Sequence, residues 1–161
     1  AKGVAHRAKG FAMEISAYDP YASAEVAQAH GVALQSFEEV IANSDFVSLH
    51  APLTDETRCM FGPDQFKTMK PTAYLINTAR GGLVDEGALY TALSSGEIAG
   101  AALDVFVEEP LKDSRLGELD NVVLTAHTGT HTKEAIERMG MMAVENVLRV
   151  LRGETPINRV V

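Results

Sequence analysis

A chain of 161 residues, 46% of them hydrophobic and 22% charged, is long enough to bury one domain core and too apolar to remain disordered. Fourteen Lys and Arg against 22 Asp and Glu give a formal charge of −8, which repels a phosphate backbone and argues against a nucleic-acid partner. No run of about 18 uncharged apolar residues is present to span a membrane, and Ala1 to Gly10 carries Lys2, His6, Arg7 and Lys9 without the apolar centre of a signal peptide. The single cysteine, Cys59, excludes an intramolecular disulfide and a multi-cysteine metal cage, so no metal is expected and the cytoplasm is the expected compartment.

In chain order, helix-like segments alternate with short apolar runs. Gly3 to Ala12 has helical composition, and Met13 to Tyr18 follows as a strand that stops at Asp19-Pro20. Ser23 caps a helix through Ala29, with Glu25 in its first turn; His30-Gly31 ends it, and Val32 to Leu34 is a short strand. Phe37 to Ala42 predicts a helix and Asp45 to Leu49 a strand, whose end runs into the irregular turn His50-Ala51-Pro52-Leu53. Pro63 to Met69 is a helix with proline in its first turn, and Ala73 to Asn77 a buried strand leading into Thr78-Ala79-Arg80-Gly81-Gly82. Asp85 opens a helix through Leu93 that Gly96 closes; Ile98 to Leu103 and Val122 to Thr125 are the last strands. A long helix, Lys133 to Leu151, stops at Gly153, and a polar tail runs from Glu154 to Val161.

About six strands separated by helices predict an α/β fold, a doubly wound and mostly parallel sheet of Rossmann type. Such a sheet begins with a strand, a glycine turn and a helix whose N-terminus receives a pyrophosphate. Here the helix comes first. If Ala1 fills the last place of G-x-G-x-x-G/A, the first strand and two glycines lie outside this sequence. The expected division is then a dinucleotide-binding domain over residues 1–153, lacking its first strand, and a tail over 154–161.

The residues with chemical character lie in the strand-end loops, where ligands of open α/β sheets bind. Asp19, at the end of the second expected strand, has the place of the acid that bonds the adenosine ribose hydroxyls; taken alone, it is equally a turn residue before Pro20. Arg80 carries a planar fork suited to a carboxylate and is followed by two glycines, which permit close backbone approach to a ligand. His127 follows the last strand, and an imidazole with an ordinary pKa of about 6.5 can cycle a proton near neutrality. Taken singly, an arginine, glutamate or histidine in a loop is most often a solvated surface group.

The ordered set changes that reading. A-Y-D-P at 17–20, H-A-P-L-T at 50–54, N-T-A-R-G-G-L-V-D-E at 77–86, A-L-D-V-F-V-E-E-P at 102–110 and T-A-H-T-G at 125–129 together resemble the nucleotide-binding domain of the D-2-hydroxyacid dehydrogenases, the phosphoglycerate dehydrogenase-like family. The resemblance implies an oxidoreductase passing a hydride between NAD(H) and a D-2-hydroxy or 2-keto acid, with a homodimer as the expected assembly. It also implies that Arg80, Glu109 and His127 form the catalytic set. Arg80 would bind and polarise the substrate, and Glu109, immediately before Pro110, would favour the imidazolium form of His127 and fix its tautomer. By the same resemblance Asp19, His50, Pro52, Thr78, Ala79, Arg80, Asp104, His127 and Gly129 face the cofactor. The carboxylate of Asp19 selects NAD over NADP by repelling a 2′-phosphate.

Two departures stand out. The family often has His followed by Ile-Gly-Gly, where this chain has Thr128-Gly129-Thr130-His131, and the family's substrate domain is not within these residues. An NAD(H)-responsive scaffold like the transcriptional corepressors of this fold is the alternative function; Glu109 in place of Gln disfavours a formate dehydrogenase relative.

Overall fold

The computed structural model describes residues 1–112 and 114–159. They divide into two compact units, Ala1–Ala126 and His127–Val161. In the first unit, α1 (Lys2–Ala8) runs into a 3-10 turn, Lys9–Phe11, and β1 is Ser16–Ala17. Then come α2 (Ala24–Ala29), β2 (Ala33–Leu34), α3 (Phe37–Asn43), β3 (Phe46–Leu49), α4 (Pro63–Thr68) and β4 (Tyr74–Asn77). A 3-10 turn at Gly81–Leu83 precedes α5 (Glu86–Ser95), β5 (Gly100–Leu103), a second at Arg115–Glu118 and β6 (Val122–Leu124). The second unit contains α6 (Lys133–Leu151). Among the described residues, no helix is long and apolar enough to cross a membrane.

Every strand pairing is parallel, as the α/β pattern predicts, and the strands fall into two sheets: β1 beside β2, and β3-β4-β5-β6 in that order. Among the described residues, β1 pairs with β2 and β3 with β4, each on one side. The strands differ from the sequence expectation at β1. Met13 to Tyr18 has strand composition, yet only Ser16–Ala17 form a ladder, because β1 pairs on one side and with two residues of β2. Ala12, expected in the first helix, is instead left-handed at φ 54°. The turn at Arg115–Glu118 carries no apolar period and was not expected; it starts where the Ser114 hydroxyl accepts from the Leu116 N–H at 3.3 Å.

Local chemistry sets the helix starts. Ser23 Oγ accepts from the Val26 N–H, and Ser36 and Glu39 bond reciprocally in a capping box. That box holds the Glu39 carboxyl below the usual carboxylate range. Asp85 Oδ1 accepts from Ala88 at 2.9 Å, and Gly96, left-handed at φ 74°, closes α5. Thr132 caps α6 through the Ala135 N–H.

The core lies against the four-stranded sheet. Phe61, Phe66, Leu75, Leu83, Leu89 and Ile98 are fully buried. Each contributes about 1.5–3 kcal/mol by leaving water. Phe61 packs edge-on against Phe37, and its ring centroid lies 6.1 Å from that of Phe66, so α3 and α4 are joined through the Phe61 ring. In the second unit the tail turns back on α6. Asn146 Oδ1 accepts from the Ile157 N–H at 2.7 Å, and Arg149 Nε donates to the Thr155 carbonyl. Val160 and Val161, the end of the tail, lie outside the described residues.

Candidate functional site

The site is built on one rung of the sheet. Register pairs Leu49 with Asn77, Asn77 with Leu103, and Leu103 with Leu124. Four strands therefore end level, and the residues that follow their ends are His50, Thr78, Asp104 and Thr125. Three of these four were expected at the site from the sequence. Thr125 Oγ1 donates to Asp104 Oδ1 at 2.5 Å, linking the last two of the row.

Three loops leave this rung and pack on one another. Gly81 lies so close to the backbone of Phe106 and Val107 that a Cβ would collide with the Phe106 carbonyl, which explains why glycine must follow Arg80. A Cβ on Gly82 would meet Leu53 Cδ2 at 2.9 Å, so the loop after β3 touches the same dipeptide from another direction. The loop after β3 is closed by Thr57, whose hydroxyl donates to the Pro52 carbonyl at 2.7 Å and accepts from the Thr54 N–H at 2.8 Å. Arg80 and Glu109, 29 residues apart in sequence, thus belong to loops in direct backbone contact.

Arg80 is exposed, and its Nη1 donates to the Ala79 carbonyl at 2.6 Å. Its backbone is held by Asn77, which the sequence reading passed over as a strand-terminal polar residue. Asn77 is 1% exposed. Its Nδ2 donates to the Arg80 carbonyl at 2.9 Å, its Oδ1 accepts from Ala79 N–H at 3.1 Å, and its own carbonyl accepts from Asp104 N–H at 3.0 Å. A buried amide is tolerable only when satisfied in this way, and an Asn at the end of an otherwise apolar strand was the available signal.

Glu109 is exposed, and its Oε1 accepts from the Phe106 N–H at 3.0 Å, so the carboxylate folds back over its own turn. Glu108, the competing acid, is also exposed. Asp19 is exposed at the turn after β1, with Oδ1 accepting from the Tyr21 N–H at 2.9 Å. That bond makes Asp19 a turn residue and also fixes the carboxylate at the strand end. His50 Nε2 lies 3.1 Å from Ser48 Oγ. Partial burial holds its imidazole below the ordinary value.

His127 opens the second unit, three residues beyond the end of β6, and its φ of 53° is left-handed. Among side chains other than glycine, His is one of those enriched in that region, and such backbone outliers gather at functional sites. Thr128 and Gly129 follow it in the same unit.

Residues 1–129 match the sequence profile of the D-isomer specific 2-hydroxyacid dehydrogenase, NAD binding domain. The chain belongs to this family. A D-3-phosphoglycerate dehydrogenase of Methanocaldococcus jannaschii is 49% identical over 156 residues, which are 96% of this chain and 30% of that protein. A glyoxylate reductase of Korarchaeum cryptofilum is 48% identical over 158 residues, 98% of this chain and 48% of that protein. Among solved structures, an NAD-complexed D-isomer specific 2-hydroxyacid dehydrogenase from Lactobacillus delbrueckii ssp. bulgaricus superposes with a TM-score of 0.88 at 35% identity, over 99% of this chain and 52% of that one. The chain therefore spans about half the length, or less, of the relatives it matches. The strand-end row and the Arg80 loop both fall within the residues that the family profile covers.

Proposed function

We propose that this chain is the cofactor-binding part of an NAD-dependent D-2-hydroxyacid dehydrogenase, with Arg80, Glu109 and His127 as its catalytic residues. Bound NAD supplies the hydride acceptor or donor, chemistry that no side chain provides. The residues present fit such a group. Asp19 offers a fixed, exposed carboxylate at the end of β1, where ribose hydroxyls can donate to it and a 2′-phosphate would be repelled. His50, Pro52, Thr78, Ala79, Asp104 and Gly129 complete the cofactor-facing set, largely through loop backbone.

Arg80 holds the substrate carboxylate through its guanidinium fork and polarises the adjacent carbonyl. In the reductive direction His127 donates a proton to the C2 oxygen as C2 gains the hydride; in the oxidative direction it takes that proton back. Glu109 stabilises the imidazolium and fixes the ring. The substrate class is a D-2-hydroxy or 2-keto acid, which the phosphoglycerate dehydrogenase and glyoxylate reductase relatives share. In this reading residues 1–153 form the NAD-binding domain, residues 154–161 lead back towards a substrate domain, and the whole enzyme is a cytoplasmic homodimer. No observation favours a corepressor-like role, and the relatives named above are dehydrogenases or reductases.

The observation that carries the reading is the contact between Gly81 and Phe106–Val107, which joins the loops of the anion-binding arginine and the glutamate. The test is turnover of the intact protein with NADH and a panel of 2-keto acids. His127→Asn is expected to lower kcat by about 10²–10⁴-fold. Arg80→Lys is expected to raise KM and lower kcat together, and Asp19→Ser to erode the preference for NADH over NADPH. Retention of parental kcat by His127→Asn and Arg80→Lys would overturn the assignment.

A further inference from the structure

Glu86 is the first residue of α5, where an acidic side chain ordinarily serves the helix dipole. It does something more specific here. Half-buried, it reaches 21 residues along the chain, and its Oε1 accepts from the Val107 N–H at 2.8 Å. The preceding amide, Phe106 N–H, donates to Glu109 Oε1. Two consecutive amides of one turn therefore hold two carboxylates, one from α5 and one from the turn itself. Gly81 presses on the same two residues from the Arg80 loop.

The segment that provides these anchors is itself fixed. Asp85 caps α5 through Ala88, and the Asp85 N–H donates to the Phe61 carbonyl at 2.9 Å, deep in the core. We infer that Glu86 is a positioning residue: its bond to Val107 sets the turn that carries Glu109 at a fixed distance from Arg80. This inference rests on the dehydrogenase reading of those two residues. Without the Glu86 carboxylate, the Val107 amide loses its partner and the turn is held against the Arg80 loop by packing on Gly81. A misplacement of about 1 Å at a reacting group costs on the order of 10²-fold in rate, so partial loosening should cost on the order of tenfold.

A positioning role and a dipole role predict opposite rankings of two conservative variants. Glu86→Gln keeps the reach and an acceptor oxygen but loses the charge; Glu86→Asp keeps the charge but falls one methylene short of Val107. In the intact protein, with NADH and a panel of 2-keto acids, Glu86→Gln is expected within about threefold of parental kcat. Glu86→Asp and Glu86→Ala are expected to lose on the order of tenfold in kcat with little change in KM for NADH. Amide exchange at Val107 should quicken in the Asp and Ala variants and stay parental in Gln. Should Glu86→Ala fail to fold, the Gln and Asp pair decides alone. Parental kcat in Glu86→Asp with a loss in Glu86→Gln, or parental exchange at Val107 in every variant, would overturn the inference. Parallel variants Arg80→Lys and Glu109→Gln separate the two claims: if both turn over normally, the catalytic reading falls, and the exchange ranking still decides whether Glu86 holds the turn.

Discussion

The two units solve the burial problem differently. Between Ala1 and Ala126 the chain packs its core against a four-stranded parallel sheet and buries Phe61, Phe66, Leu75 and Leu89 completely. Between His127 and Val161, α6 carries an apolar stripe of Ile136, Met139, Val147 and Leu151 and has no buried residue. The period of the α6 stripe reveals that a face is apolar and says nothing of what covers it. The first unit should therefore respond to core changes steeply, and the second hardly at all within this chain.

The sharpest probe of that contrast is Phe66→Ala. Denaturant unfolding of this chain should show a loss of about 3–5 kcal/mol, since the ring is fully buried beside Phe61. Leu151→Ser, at a side chain 77% exposed, should change stability by less than about 0.5 kcal/mol in the same assay. A comparable loss at both positions would erase the distinction between the units. Gly81→Ala comes next, at about 1–3 kcal/mol measured by thermal melting, because the added methyl must displace the Phe106–Val107 backbone. Asn77→Ala should cost about 1–3 kcal/mol by leaving the Ala79 N–H and Arg80 carbonyl without their partner.

The smallest expected effect is on pH dependence. The imidazole of His50 is held below its ordinary value, so the unfolded chain takes up its proton first as the pH falls. Its contribution to stability is full above about pH 6.5 and is lost as pH drops through the folded value. Melting temperatures measured between pH 7.5 and 5 should fall less steeply in His50→Asn than in the parent. Identical slopes would show that the partly exposed ring is solvated as in the unfolded chain.

Much of the fold was legible in the sequence for local reasons. The starts of α2 at Ser23, of α4 at Pro63 and of α5 at Asp85 follow from side chains that bond or constrain their own neighbours, and the stop of α5 at Gly96 from a left-handed turn that glycine adopts freely. β3 and β4 were visible as apolar runs although one face of each is buried, through Val47 and Leu49 and through Leu75 and Asn77, while Phe46 and Tyr74 on the other face are exposed. What stayed hidden depended on distant partners. The length of β1 is set by β2, the clamp on the Arg80 loop by the burial of Asn77, and the anchor on the Glu109 turn by Glu86 reaching across 21 residues. Each of these residues has an ordinary local explanation that satisfies the sequence without predicting its contact. The motifs, in contrast, located Arg80, Asp104 and Glu109 in adjoining loops, since all three follow the ends of neighbouring strands.

The level rung at Leu49, Asn77, Leu103 and Leu124 constrains how such a protein can change. An exposed side chain of these loops, away from the Gly81–Gly82 contacts, can be exchanged singly, whereas adding or deleting one residue within β4 or β5 would rotate that strand's outgoing loop to the opposite side of the sheet. Substrate preference is therefore free to drift by substitution in the loops, while the spacing inside the strands is locked, and insertions compatible with function should accumulate at the opposite, N-terminal ends of the same strands.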